Sequence, residues 1–313
     1  MEWHEGELAL QAQAGFQKGD ALRRMIQSSI PAAAQEFLHV QTLAFLTTVD
    51  SDGRPRVSPL AGAAGFLRVR DDRTVEISRA GIVDPRALDD LEANEHVGLL
   101  AIEFATRKRM RLNGKATVES DGSVVVRADE VYSNCPKYIQ RRELEDASST
   151  GGDAVDSKAT EAEVTDALSE SQAAWIEGAD TFLIGSRHPV AGADASHRGG
   201  EPGFVRKTGA RRLTFPDYAG NNMFQTLGNL SVDPRAALLF VDFEEGHTLH
   251  LMGRATIVDD PERAASFPGA MFPGAVRLVD VEIDEVSETR GALPGSWKLE
   301  ERSPYNPTSS ASA

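Results

Sequence analysis

Cysteine is almost missing from this chain: Cys135 is the one cysteine in 313 residues, so no internal disulfide framework can form. That usage suits a reducing compartment, and the expectation is a cytoplasmic protein. Long apolar runs are missing as well. No stretch approaches the ~20 residues that cross a bilayer, and the start, Met1 to Glu7, has neither the basic region nor the apolar run of a secretion signal. Positive charge is scarce, with 33 Lys and Arg against 48 Asp and Glu and a formal net charge of −15. A surface that neutralises phosphates along a polymer needs the opposite balance, which argues against a nucleic-acid partner. The remaining composition, 41% hydrophobic and 26% charged, is that of an ordinary soluble protein, and the length is enough for two domains.

Short strands dominate what is present. Leu43 to Val49 is an apolar strand, Asp50-Ser-Asp-Gly53 is turn chemistry, and Arg54–Pro59, Gly65–Val69 and Thr74–Ser78 continue the pattern. From Asp180 to Asp259 the order reads as strand (Thr181–Gly185), polar loop, strand (Pro202–Lys207), strand from Leu213, short helix, and two further strands. Helical spacing marks residues 2 to 40, and Thr160-Glu-Ala-Glu163 has the pattern of a capping box opening a helix with Val164, Leu168 and Trp175 on one face. Residues 147–153 read as a flexible connector, and the tail from Ser303 as loosely packed.

The two halves overlay. Asn94–Phe104 matches Asp233–Phe243 at an offset of 139 (243 − 104), and the same offset carries Met110–Val118 onto Leu249–Ile257, with Gly114 on Gly253 and Thr117 on Thr256. The chain is therefore read as a tandem duplication. The fold class expected is mainly β with flanking helices, two split β-barrels packed as an intramolecular pseudo-dimer. Its parts are a helical segment (1–34), a first barrel (35–145), a linker and helix (146–178), a second barrel (179–290) and a tail (291–313).

Leu213-Thr-Phe-Pro-Asp-Tyr218, Asn221-Asn222 before a helix, and Asp233-Pro-Arg-Ala-Ala-Leu-Leu-Phe240 lead to a strand with Gly253-Arg-Ala255. Together they resemble the pyridoxamine 5′-phosphate oxidase-related FMN-binding split barrels. Gly192–Gly200 and Asn134-Cys-Pro-Lys137 are similar to a two-repeat bacterial branch of that group. The resemblance implies FMN as cofactor, held by Arg206, Lys207, Asp217, Asn221 and Asn222 of the second half and by Arg109, Cys135 and Lys137 of the first. Strand cations and a helix start suit a phosphate, because both offer donors and positive charge.

Arg187, His188, His197 and Arg198, read as one polar loop, would orient an anionic or polar small-molecule substrate. The histidine spacing, with no acidic pair beside it, gives no metal site. Cys135 is read as pocket lining rather than a nucleophile. Where the second half has Asn221-Asn222 the first has Ile82-Val83, so one composite flavin site per chain is expected, in a monomer or a homodimer. The function expected is an FMN-dependent oxidoreductase. The alternative is a split barrel that holds flavin, deazaflavin or haem without turnover; no catalytic residue is assigned.

Overall fold

The computed structural model describes residues 2–16, 19–133, 135–145, 160–161, 164–258 and 271–307. The connector at 147–153 and Asn134 lie outside these residues, as does the end of the tail beyond 307. Three helices open the chain: α1 (Glu5–Gln13), α2 (Gly19–Arg23) and α3 (Ala32–His39). Repeat one follows as β1 (Leu43–Val49), β2 (Pro55–Ala61), β3 (Leu67–Asp71), β4 (Thr74–Ile77), α4 (Arg86–Ala93), β5 (His96–Glu103), β6 (Lys108–Val118) and β7 (Val124–Ser133). After β8 (Arg141–Leu144) and β9 (Thr160–Glu161), α5 (Glu170–Gly178) leads into repeat two. That repeat comprises β10 (Thr181–His188), β11 (Gly192–Gly199), β12 (Arg206–Gly209), β13 (Arg212–Asp217), α6 (Gln225–Val232), β14 (Arg235–Val241), β15 (Thr248–Val258) and β16 (Arg277–Arg290). Strand β17 (Trp297–Glu301) closes the order by pairing with β8.

The duplication is visible in the topology. One sheet runs β2-β1-β5-β6-β7-β4-β3 and the other β11-β10-β14-β15-β16-β13-β12, the same path strand for strand and antiparallel throughout. The helices α4 and α6 begin and end 139 residues apart (225 − 86 and 232 − 93). Both long hairpins carry a register shift at matching places, Asn113/Gly114 and Met252/Gly253. Each repeat opens on a helix, α3 or α5, and Ile176 of α5 packs into the core of the second barrel.

Alternation along the strands builds three cores. Leu46, Leu99, Met110 and Leu112 fill the first barrel, and Phe182, Phe215, Phe240 and Leu251 the second. A third core, with Phe45, Val57, Leu100, Leu183, Leu239 and Phe243, draws from both repeats and joins them. Close approach there demands small residues. A Cβ on Gly98 would lie 2.6 Å from the backbone nitrogen of Ala195, and one on Gly185 would lie 2.6 Å from Cγ2 of Val57.

Four sequence expectations change. The stretch after Gly185 is not a polar loop: β10 runs on to His188 and returns as β11, in register from Thr181↔Gly199 to His188↔Gly192. Its small residues fit the crowded joint between repeats, which polarity alone does not reveal. The strand expected at Pro202–Lys207 forms later, at Arg206–Gly209. The helix expected after Thr160 starts at Glu170, because Ser169 and Gln172 make the reciprocal capping box while Thr160 pairs with Arg290 in a sheet. The tail is anchored as far as it is described: Gln140, fully buried, accepts from the Ser303 backbone N–H at 2.7 Å and from Asn306 Nδ2 at 3.1 Å.

Helix α1 lies across α6. His4 caps it, and a Cβ on Gly6 would overlap the carbonyl oxygen of Gly228 and stand 2.6 Å from Ser231 Oγ. Replacing Gly6 by Val should therefore lift α1 off repeat two, at a cost of about 1–3 kcal/mol. Limited proteolysis should then cut near residues 14–16, and a cleavage pattern like that of the wild type would show that α1 is not held by this contact.

Candidate functional site

On β6, Met110 and Leu112 enter the first core, so the period of two turns Arg109 and Arg111 the other way, toward repeat two. Strand β11 meets them. Arg111 Nη1 lies 3.1 Å from Asp194 Oδ1 and 3.2 Å from the Tyr132 hydroxyl, and Nη2 also donates to Ser196 Oγ. Thr226 on α6 donates to Asp194 Oδ2 at 2.9 Å and bonds Ser196 Oγ at 2.8 Å, which ties the helix to the same group. Arg109 Nη1 stands 3.3 Å from His197 Nδ1, and Arg198 Nη1 is 3.4 Å from Ser196 Oγ. The outcome is a cleft between the repeats. Its walls include Phe204, Tyr218, Phe224 and Gln225 of repeat two, with Cys135, Lys137 and Tyr138 crossing from repeat one.

Three guanidinium groups converge here with one strongly paired carboxylate. Burial, then the charges of Arg111 and Arg198, pull Arg109 down to about 9. Burial also lowers Arg198, against the pull of Asp217. Arg111 goes the other way, because Asp194 and Tyr132 outweigh its desolvation. Burial raises the Asp217 carboxyl although Arg198 and Arg277 oppose it. His197 falls well below its ordinary value through burial and the surrounding arginines, so it is neutral. An arginine can only donate, so His197 Nδ1 accepts and Nε2 carries the proton. That Nε2, like Nε of Arg109, Arg111 and Arg198, is a buried atom without a hydrogen-bond partner. Unsatisfied donors and excess positive charge are what an anionic ligand would complete.

Eight of the residues singled out in the sequence line this cleft: Arg109, Cys135, Lys137, His197, Arg198, Asp217, Asn221 and Asn222. Asn221 is not a helix cap. It accepts from the Met223 backbone N–H at 3.1 Å in the turn before α6, whose own start, Phe224, has a left-handed backbone (φ 59°) and no side-chain cap. Four residues lie elsewhere. Arg206 and Lys207 sit on the edge strand β12, outside the lining. Arg187 pairs with Asp233 at 2.9 Å, and His188 stacks on His4 with ring centroids 4.2 Å apart. These two belong to the turn end of the β10–β11 hairpin, whereas His197 and Arg198 stand opposite Leu183 and Phe182. Four to six residues at ~3.3 Å each separate the two pairs by roughly 13–20 Å. Asp194 and Ser196 were missed, whereas Arg111 falls in the stretch 107–111 toward which the flavin ring was expected to reach.

His4, Glu5 and His188 place three ligand-type atoms within 4.8 Å of one another. Yet Nδ1 of each ring accepts backbone N–H groups, from Gly6 in one case and from Val190 and Ala191 in the other. Each Nε2 is then protonated and has no lone pair for a metal.

The site related to the cleft by the repeat is closed. Asp84, Arg86 and His250 occupy it, with Arg86 Nε 2.9 Å from Asp84 Oδ1 and Ser58 Oγ 3.4 Å from Asp84 Oδ2. The groove beside it leaves no room for a water molecule.

Among solved structures, a putative pyridoxamine 5′-phosphate oxidase from Lactobacillus delbrueckii is 16% identical, with a TM-score of 0.33 over 39% of this chain and 94% of its own. An FAD-binding protein of Mesorhizobium loti is 12% identical, with a TM-score of 0.29 over 40% and 96%. The haem storage protein of Vibrio cholerae is 22% identical, with a TM-score of 0.23 over 32% and 88%. No curated protein matches the chain. The family described as pyridoxamine 5′-phosphate oxidase matches it twice, over residues 30–152 and 168–290, one match for each seven-stranded repeat. The chain belongs to the pyridoxamine 5′-phosphate oxidase family, as a tandem form carrying two copies of the fold.

Proposed function

We propose that this chain is an FMN-dependent oxidoreductase acting on a small organic substrate. The observation that carries the reading is the composite cleft, where Arg109, Arg111 and Arg198 exceed the carboxylates that could neutralise them. They fit the phosphate of a flavin nucleotide better than Arg206 and Lys207, which do not line the cleft. Family membership favours a flavin in the same place. The bound flavin would supply the redox chemistry, while the protein supplies binding and electrostatics.

The chain's own residues have separable tasks. Arg111, held by Asp194 and Tyr132, presents a fixed cation, and neutral His197 offers its Nε2 proton as a donor. Phe204, Phe224, Tyr138 and Tyr218 provide flat apolar surface for a ring system. Tyr138 also bridges the two repeats beside the cleft, its hydroxyl donating to the Ala219 carbonyl at 3.0 Å. Lys137 at the rim would attract a polar or anionic substrate. The protonated Nε2 of His197 makes this residue a poor axial ligand, which favours a flavin over haem.

Titrating the apo-protein with FMN should quench flavin fluorescence to saturation at one equivalent, because Asp84 and Arg86 fill the related site. A chain that stays colourless in excess FMN would overturn the flavin reading. Two equivalents of similar affinity would overturn the single composite site.

A further inference from the structure

The segment between β7 and β8 brings Cys135, Lys137 and Tyr138 to the cleft, yet residues 135–140 belong to no strand. Their backbone groups must find partners outside the sheets. The Ile139 carbonyl accepts from Arg107 Nε at 2.9 Å, and the Tyr138 carbonyl accepts from Gln140 Nε2 at 3.1 Å. The Tyr138 N–H donates to Ser303 Oγ at 3.2 Å. Tyr138 holds a left-handed backbone, φ 66°, which a tyrosine keeps only where its surroundings impose it.

The surroundings that impose it come from beyond β17. Because β17 pairs with β8, residues 303–306 run beside the segment. Ser303 answers the bond from Tyr138 with one of its own, its N–H donating to Gln140 Oε1 at 2.7 Å. Asn306 Nδ2 donates to the same Oε1 at 3.1 Å and to Glu201 Oε1 at 2.8 Å, which fastens the stretch to repeat two. Ser303 is 5% exposed and Asn306 7%, so these bonds are shielded from water. On the cleft side, the Tyr138 ring meets Tyr218 with centroids 5.1 Å apart. A ligand ring between them would need about 7 Å, two contacts of ~3.5 Å. The two tyrosines are therefore one wall, built by both repeats, on which a planar ring can lie.

We propose that residues 303–306 are a positioning strap, which through Ser303 and Gln140 fixes Tyr138 as the wall of the cleft and so sets the affinity for a planar ligand. The inference rests on the functional reading in taking FMN as that ligand. Ser303, Asn306 and Gln140 do not line the cleft, so they act through Tyr138 rather than by touching what binds there.

The test uses the full chain, with FMN titration and amide hydrogen exchange as readouts. Ser303→Ala removes the acceptor of the Tyr138 N–H, and Asn306→Asp sets a carboxylate against Gln140 Oε1 and Glu201. Each should weaken FMN binding by roughly threefold to tenfold, the worth of one hydrogen bond. The thermal midpoint should stay within about 5 °C of the wild type, and the Tyr138 amide should exchange faster. In a Tyr138→Ala chain, adding Ser303→Ala should change FMN affinity by less than about twofold, because the wall it positions is gone. A stretch that only stabilised the fold would weaken binding equally in both backgrounds, and that result overturns the inference. So does wild-type affinity in both variants, or failure of both to fold, since a strap outside the two barrels is not needed to form them. A wild-type chain that takes no FMN removes the flavin reading instead. Faster Tyr138 exchange in Ser303→Ala then still supports the strap, and unchanged exchange overturns it.

Discussion

Replacing Arg111 by Met should cost the fold about 3–5 kcal/mol and weaken FMN binding at least tenfold. The first figure comes from Asp194, which is 1% exposed and would be left as a buried charge with only the hydroxyls of Thr226 and Tyr132 and the Asn113 amide to bond it. The second comes from losing a charge-assisted bond worth ~1.5–3 kcal/mol, where each 1.4 kcal/mol is a factor of ten. The two effects separate in the double variant Arg111→Met/Asp194→Asn. With both charges gone, most of the stability should return, while binding stays weak. Urea denaturation and FMN fluorescence titration read the two quantities. Wild-type affinity in the double variant would show that Arg111 does not face the ligand.

The second large effect is a loss of stability between about pH 6.5 and 8 that Glu7→Gln abolishes. Burial raises the Glu7 carboxyl to about 8, with Glu130 and Asp194 adding to it. The His4 backbone N–H and Arg23 oppose that rise. Between its unfolded value of 4.5 and about 8, the native chain holds a proton that the unfolded chain has released, so stability falls as pH rises and levels off above 8. His4 and His250, both lowered to about 4 by burial, work in the opposite sense between 4 and 6.5. Above 6.5 Glu7 acts without that opposition, and 1.5 units (8 − 6.5) correspond to about 2 kcal/mol. Glutamine keeps an oxygen to accept from His4 and has no proton to lose. Denaturation curves at pH 7 and 8 should converge for the variant. An unchanged slope would place the titrating group elsewhere.

The repeat, the fold class and the rim of the cleft were legible in the sequence because they are local or periodic. Val97 to Leu100 and Ala236 to Leu239 are strands whatever surrounds them, and an offset of 139 is a property of the string. Cys135, Lys137 and Asn221 could be placed by motif.

What depended on pairing across the chain could not be read that way. Arg187 and His188 look equivalent to His197 and Arg198 until the β10–β11 register sends them to opposite ends of a hairpin. Arg206 and Lys207 carry the charge a phosphate wants, but an edge strand takes them away from the cleft. Asp194, small and acidic in a run of glycine and alanine, gained its role only when β6 of the other repeat brought Arg111 within 3.1 Å. Strand alternation is written in neighbouring residues, and so the barrels were determined by sequence. The site lies where two sheets meet, and contact between sheets is decided by packing, which no local pattern encodes.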